Sequence, residues 1–109
     1  MATTYKVLGQ SNPAATTLTT LYTVPSATEA VVSSIVIANL AASAATFRIA
    51  VRPNGASIAN SQYIAYDITV CASDSTVLTL GLTLDAADVL SVYASTTTVT
   101  FSAFGSEIA

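Results

Sequence analysis

The sequence has no histidine and no tryptophan, a single cysteine, and only three basic residues, Lys6, Arg48 and Arg52, in 109 positions. Each shortage excludes something. Without imidazole there is no Ser–His or Cys–His pair, and no side chain whose ordinary pKa suits proton exchange near neutrality. Cys71 stands alone at the end of a strand. It can form no internal disulfide, nothing nearby activates it as a nucleophile, and it reads as a small buried or half-buried residue. Three scattered cations in a chain of formal net charge −3 cannot neutralise a run of phosphates or hold an anionic bilayer, so neither nucleic acid nor membrane is an expected partner. The first residues, Met-Ala-Thr-Thr-Tyr-Lys, offer no apolar signal core, which predicts assembly in a cytoplasm.

Charged residues make up 8% of the chain, against about 25% in an ordinary soluble domain. Ala, Thr, Ser and Val fill the gap, and 52% of the residues are hydrophobic. Disorder is excluded by that balance. A surface so poor in charge suits a chain that covers much of its outside with copies of itself or with other subunits.

The pattern that organises the chain lies at residues 30–40, Ala-Val-Val-Ser-Ser-Ile-Val-Ile-Ala-Asn-Leu. From Ile35 to Ala38 it is apolar on both strand faces and rich in β-branched side chains, which predicts a strand covered by protein on both sides. It is too short and too broken by Ser33, Ser34 and Asn39 to span a bilayer. Around it, alternation and turn chemistry place further strands at 4–9, 18–24, 46–52, 62–70, 76–84, 89–94 and 98–104. Phe47, Ile49 and Val51 point to the core, as do Val99, Phe101 and Ala103 on the last strand. On 62–70 the alternation puts Ile64, Tyr66, Ile68 and Val70 inside and Tyr63, Ala65, Asp67 and Thr69 outside. On 76–84 it puts Leu78, Leu80, Leu82 and Leu84 inside, with Gly81 marking a bulge or a change of sheet. Pro53-Asn54-Gly55 opens a loop to about Ser61, long enough to carry the chain from one sheet to the other. The expectation is all-β: one antiparallel β-sandwich of about eight strands spanning 1–109, of jelly-roll or Ig-like Greek-key type, with 1–12 as an N-terminal strand or arm.

The chemistry-bearing residues are few. Asp85 and Asp88 are the only close acidic pair, and they flank a turn, where Asp ordinarily binds its own backbone. A Ca²⁺ site wants about six to eight oxygen ligands, and this turn with Asp74 lacks a recognisable loop pattern. No metal, cofactor or enzymatic activity is expected. Arg48 and Arg52 share an outward face, with Asp67 facing out on the following strand. A weakly paired, solvated edge and a contact to a neighbouring subunit both fit them, and Tyr63 on the same face favours the contact. Tyr5 either packs in the core or is lent to a neighbour. The subunit-interface candidates are therefore Tyr5, Arg48, Arg52, Tyr63 and Asp67. For a sugar site, Gln62, Tyr63 and Asp67 form the best available set.

Three stretches carry a resemblance: Leu21-Tyr-Thr-Val-Pro25 followed by Ala30 to Asn39, Ala45-Thr-Phe-Arg-Ile-Ala-Val51, and Val99-Thr-Phe-Ser-Ala-Phe-Gly-Ser-Glu107. Together they resemble small virion structural proteins of tailed bacteriophages, including phages of cyanobacteria, over nearly the whole chain. The segment from Leu80 to Leu90 is similar to the strand–turn–strand of viral jelly rolls, although Ala87 stands where Gly is common before the Asp. The resemblance implies a capsid decoration (cement) protein, a homo-oligomer, with trimers favoured, bound to the major capsid protein of a virion assembled in the host cytoplasm. The alternative it implies is a neck, baseplate, tail or fibre component that binds carbohydrate or a receptor.

Overall fold

Alternating β-branched and aromatic residues, punctuated by Pro, Asn, Asp and Ser, become nine strands in the computed structural model, which describes residues 2–109. They are β1 (Thr3–Ser11), β2 (Thr19–Thr23), β3 (Glu29–Asn39), β4 (Ala45–Arg52), β5 (Tyr63–Val70), β6 (Ser75–Leu78), β7 (Leu82–Leu84), β8 (Val89–Ala94) and β9 (Val99–Ile108). Sheet A runs β1-β9-β3-β6, with β7 also on β3, and sheet B runs β2-β8-β4-β5. Every pairing is antiparallel. The pairing is nested: β1 with β9, β2 with β8, β3 with β6 and β7, β4 with β5. That is one long hairpin wrapped across two sheets, the jelly-roll form of the sandwich, and it excludes the Ig-like alternative.

The core lies between the sheets. Val32, Ile35 and Ile37 from β3 and Val99, Phe101 and Ala103 from β9 face Phe47 and Ile49 from β4 and Leu90, Val92 and Ala94 from β8, all essentially sealed from solvent. Phe47 and Phe101 meet edge-to-face across the two sheets, with centroids 6.2 Å apart. The core holds one polar hub. Asn39, 2% exposed, donates from Nδ2 to the carbonyls of Ser43 (2.8 Å), Val70 and Cys71 (both 3.4 Å). Its Oδ1 accepts from the Ala41 N–H and the Thr98 hydroxyl, both at 3.1 Å. One side chain thus ties three chain segments together at one end of the sandwich. At an edge the sheets are linked by Tyr22 of β2, whose hydroxyl donates to Glu107 Oε2 of β9 at 2.5 Å. Lys6 closes on the other carboxylate oxygen at 3.2 Å.

Several expectations are corrected. The loop at 53–62 does not change sheet, because β4 and β5 are neighbours in sheet B. Gly81, at φ +61, neither makes a bulge nor switches sheets; it interrupts the run so that β6 and β7 both stay on β3. Leu80 lies in that interruption and is exposed rather than buried. Only one face of β3 is sealed: Ile35 and Ile37 lie in the core, whereas Val31, Val36 and Ala38 are half-buried on the outside of sheet A.

The largest departure is on β5. Phe47 is opposite Ile68 and Ile49 is opposite Ala65, so Tyr66 and Asp67 together face the single residue Arg48. Asp67 takes φ 51 to make this bulge, a conformation Asp tolerates better than most residues. Next to it Ala50 is opposite Tyr63, which leaves Ile64 as a second extra residue. The two bulges break the period-2 rule on which the predicted faces rest. Ala65 goes inside, while Ile64 and Tyr66 are exposed. Ile68 keeps the inward face but, on an edge strand, stays 39% exposed.

Candidate functional site

The bulged strand assembles the densest group of chemically capable side chains on the molecule. Directly paired Cα positions place Tyr93 of β8 beside Arg48 of β4, and the β5 bulge brings Tyr66 and Asp67 to the other side of Arg48. The guanidinium is consequently sandwiched, 4.1 Å from the centre of the Tyr66 ring and 4.2 Å from that of Tyr93. This is the flat stacking for which Arg is better suited than Lys. Asp67 completes the clamp, accepting from Arg48 Nε at 2.6 Å and from Nη2 at 3.3 Å. The hydrogen bond from Arg48 holds the Asp67 carboxyl below the ordinary Asp value, and the same bond pushes the guanidinium further up. Beyond Tyr66, Tyr63 stands perpendicular to it, with centroids 4.9 Å apart. The row Tyr93, Arg48, Tyr66, Tyr63 therefore crosses the outer face of sheet B.

The loop at 53–62 frames one side of this row. Arg52 donates to the carbonyls of Ala56 (2.7 Å) and Gly55 (3.1 Å). Gln62 accepts from the Ala59 N–H at 2.9 Å and donates to the Ser57 carbonyl at 3.1 Å. Asp88 reaches across to the Asn54 N–H at 2.8 Å. The loop's short 3-10 turns, Pro53–Gly55 and Asn60–Gln62, contact β8 and β4. Ala50 and Ser91, opposite one another on this outer face, are consequently fully buried. The Ser91 hydroxyl finds no hydrogen-bond partner there among the described residues.

Of the five interface candidates, Arg48, Tyr63 and Asp67 come together. Arg52 does not join them, because its guanidinium is held by loop carbonyls. Tyr5 is neither in the core nor near the others; it is 84% exposed on β1, on the outside of sheet A. Gln62 leaves the sugar-ligand set, since both ends of its amide staple the loop. Tyr66 and Tyr93 enter the group unforeseen by sequence reading. Cys71 is exposed, not buried or half-buried. Asp85 and Asp88 serve the turn: Asp88 Oδ2 accepts from the Asp85 N–H at 2.9 Å and Asp85 Oδ1 from the Ala86 N–H at 2.8 Å. No cluster of three or more His, Cys, Asp or Glu suited to a metal ion occurs among the described residues.

The outer face of sheet A is of another kind. Val7 (48% exposed), Val77 (58% exposed) and the half-buried Val31, Val36 and Phe104 share it with serines and threonines. The stretches 31–38 of β3 and 100–104 of β9 contain no charged residue. A depression of about 520 Å³ lies over Tyr5, Val7, Val31, Ser33 and Phe104, with Lys6 at its β1 side.

Set against protein families, curated proteins and solved structures, the chain finds no match.

Proposed function

We propose that this protein is a non-enzymatic structural module of a bacteriophage particle, a decoration or cement protein that docks on the head shell through the outer face of sheet A. The observation that carries the reading is that face. From Ile35 to Ala38 β3 is apolar on both sides, yet the single chain covers only one, leaving Val31, Val36 and Val77 beside Val7 and Phe104 in a surface without charge at its centre. Such a surface has little to hold it apart from a neighbour and fits an equally uncharged, apolar protein surface. Self-association, as the trimer implied by the resemblance, belongs to the same reading, as does assembly on a virion in the host cytoplasm.

The test is cosedimentation with purified heads of tailed phages of cyanobacteria, with light scattering on the free chain. The native protein should pellet with heads. A Val7→Lys, Val77→Lys variant, altered only at exposed positions, should remain in the supernatant with an unchanged melting temperature. A chain that stays monomeric and pellets with no particle would sink the reading.

A further inference from the structure

The two outer faces of the sandwich differ in chemistry, and the one on sheet B has a feature that docking through sheet A does not use. A depression of about 490 Å³ opens there, lined by Asn60, Tyr63 and Tyr66. We propose that this corner is a binding subsite for a neutral hexopyranose unit of a glycan.

Two tyrosine rings at 85° to one another make a corner of aromatic surface, and a pyranose carries apolar C–H patches that pack on such surface. The third wall is an amide. The Asn60 side chain is exposed and makes no hydrogen bond within the described residues, so its two N–H donors and its carbonyl are free for adjacent sugar hydroxyls. The two phenolic hydroxyls add further donors and acceptors. The volume is that of an ordinary small-molecule pocket.

Charge selects the class of sugar. The one cation in the row, Arg48, already gives Nε and Nη2 to Asp67. Arg52 is committed to loop carbonyls, and Lys6 lies with Glu107 away from this face. A sialylated, uronic or sulfated unit would therefore bring a negative charge to a site whose one cation is already neutralised by Asp67. An uncharged unit has no such cost.

The corner is also fixed before any ligand arrives. Tyr66 stacks on a guanidinium that Asp67 and Tyr93 hold in place. Tyr63 follows directly on a loop turn stapled by Gln62. Little side-chain freedom remains to be lost on binding, which favours affinity.

The experiment is a glycan array of neutral, sialylated and sulfated glycans, with ¹⁵N-labelled protein titrated in parallel with the methyl β-glycosides of glucose and galactose. Neutral glycans should bind, with amide shifts confined to residues 60–67 and their pairing partners on β4. Asn60→Ala, at an exposed loop position, should weaken binding about tenfold with no change in melting temperature. Tyr63→Ala should abolish binding, and Tyr63→Phe, which keeps the ring, should retain most of it. No neutral glycan bound, binding confined to sialylated or sulfated glycans, shifts centred elsewhere, or an Asn60→Ala variant that binds like the parent would each overturn the proposal.

Discussion

Phe47 is the side chain whose removal should cost most. It is fully buried, and its ring meets that of Phe101 edge-to-face at 6.2 Å, so it bridges sheet B to sheet A at the centre of the core. A buried phenylalanine withdraws on the order of 150–200 Å² from water, worth about 4 kcal/mol at about 25 cal/mol/Å². The aromatic pair adds about 0.5–1.5 kcal/mol, while alanine keeps part of the burial. Phe47→Ala should therefore cost about 4 kcal/mol, within the about 3–5 kcal/mol typical of such truncations. The whole fold is expected to be worth only about 5–15 kcal/mol. In urea, with a slope of about 1.5 kcal/mol/M, the midpoint should fall by about 2–3 M. Phe104→Ala is the control, because its ring is on the outside of sheet A and only half-buried; about 1–2 kcal/mol is expected there. If the two variants lost equal stability, or Phe47→Ala lost less than about 1 kcal/mol, the assignment of faces on β4 and β9 would be refuted.

Asn39→Ala should lower stability by about 2–4 kcal/mol, since it strands several buried groups at once. Asn39→Asp should be no better, because it sets a carboxylate against three carbonyls; a near-native urea midpoint for either would show that the hub is dispensable. Ala87 adopts φ 69 in the turn before β8, so Ala87→Gly should raise stability, by up to about 1 kcal/mol, and a lower melting temperature would contradict this. Ser91→Ala removes a buried hydroxyl without a partner and should be neutral or stabilising by about 1 kcal/mol, as read by the same melt. Stability should also follow Glu107 and Tyr22. The hydrogen bond from Tyr22, and then Lys6, hold Glu107 below its ordinary value of 4.5, so its contribution is present above that value and lost as pH falls through the lowered one. Burial, and then the bond to Glu107, raise Tyr22 above 10.0, so its contribution is full below pH 10 and is lost as the pH climbs through the raised value. Urea midpoints of native and Tyr22→Phe proteins should thus converge in acid; parallel curves would exclude the coupling.

The sandwich was legible because most strands keep the period-2 rule. Phe47 and Ile49 on β4 and Val99, Phe101 and Ala103 on β9 are inside as their alternation requires. The rule failed where the ladder is irregular. Nothing in Gln-Tyr-Ile-Ala-Tyr-Asp-Ile says that the register will slip twice: without the extra residue Ile64, Tyr63 and Tyr66 would lie on opposite faces, and without the left-handed Asp67, so would Tyr66 and Asp67. Arg48, Tyr63 and Asp67 could be grouped from the sequence because their strands are consecutive. Tyr93 could not, since its place beside Arg48 depends on β8 lying next to β4, a consequence of the jelly-roll wrapping. Tyr22 and Glu107 are 85 residues apart, and only the closure of the two sheets on one another brings them together. Asn39 read as a break in an apolar run, whereas it is the residue around which the adjoining turns are built.

The edges of the two sheets bear on how such a chain associates. A sandwich has four of them, and an edge that is long and regular invites strand addition. On β1 the register shifts between Val7 and Gly9. β2 is short and shifts between Thr20 and Tyr22. β5 carries two bulges, and the fourth edge is divided into β6 and β7 around Gly81. Each of these edges is short, bulged or divided, and so is a poor template for a regular added strand. Packing a neighbour face to face on sheet A disturbs none of them. The irregular edges and the lack of charge at the centre of the outer face of sheet A therefore argue in the same direction: they favour the proposed face-to-face docking through sheet A over strand addition, and the tyrosine row lies on the opposite side of the sandwich.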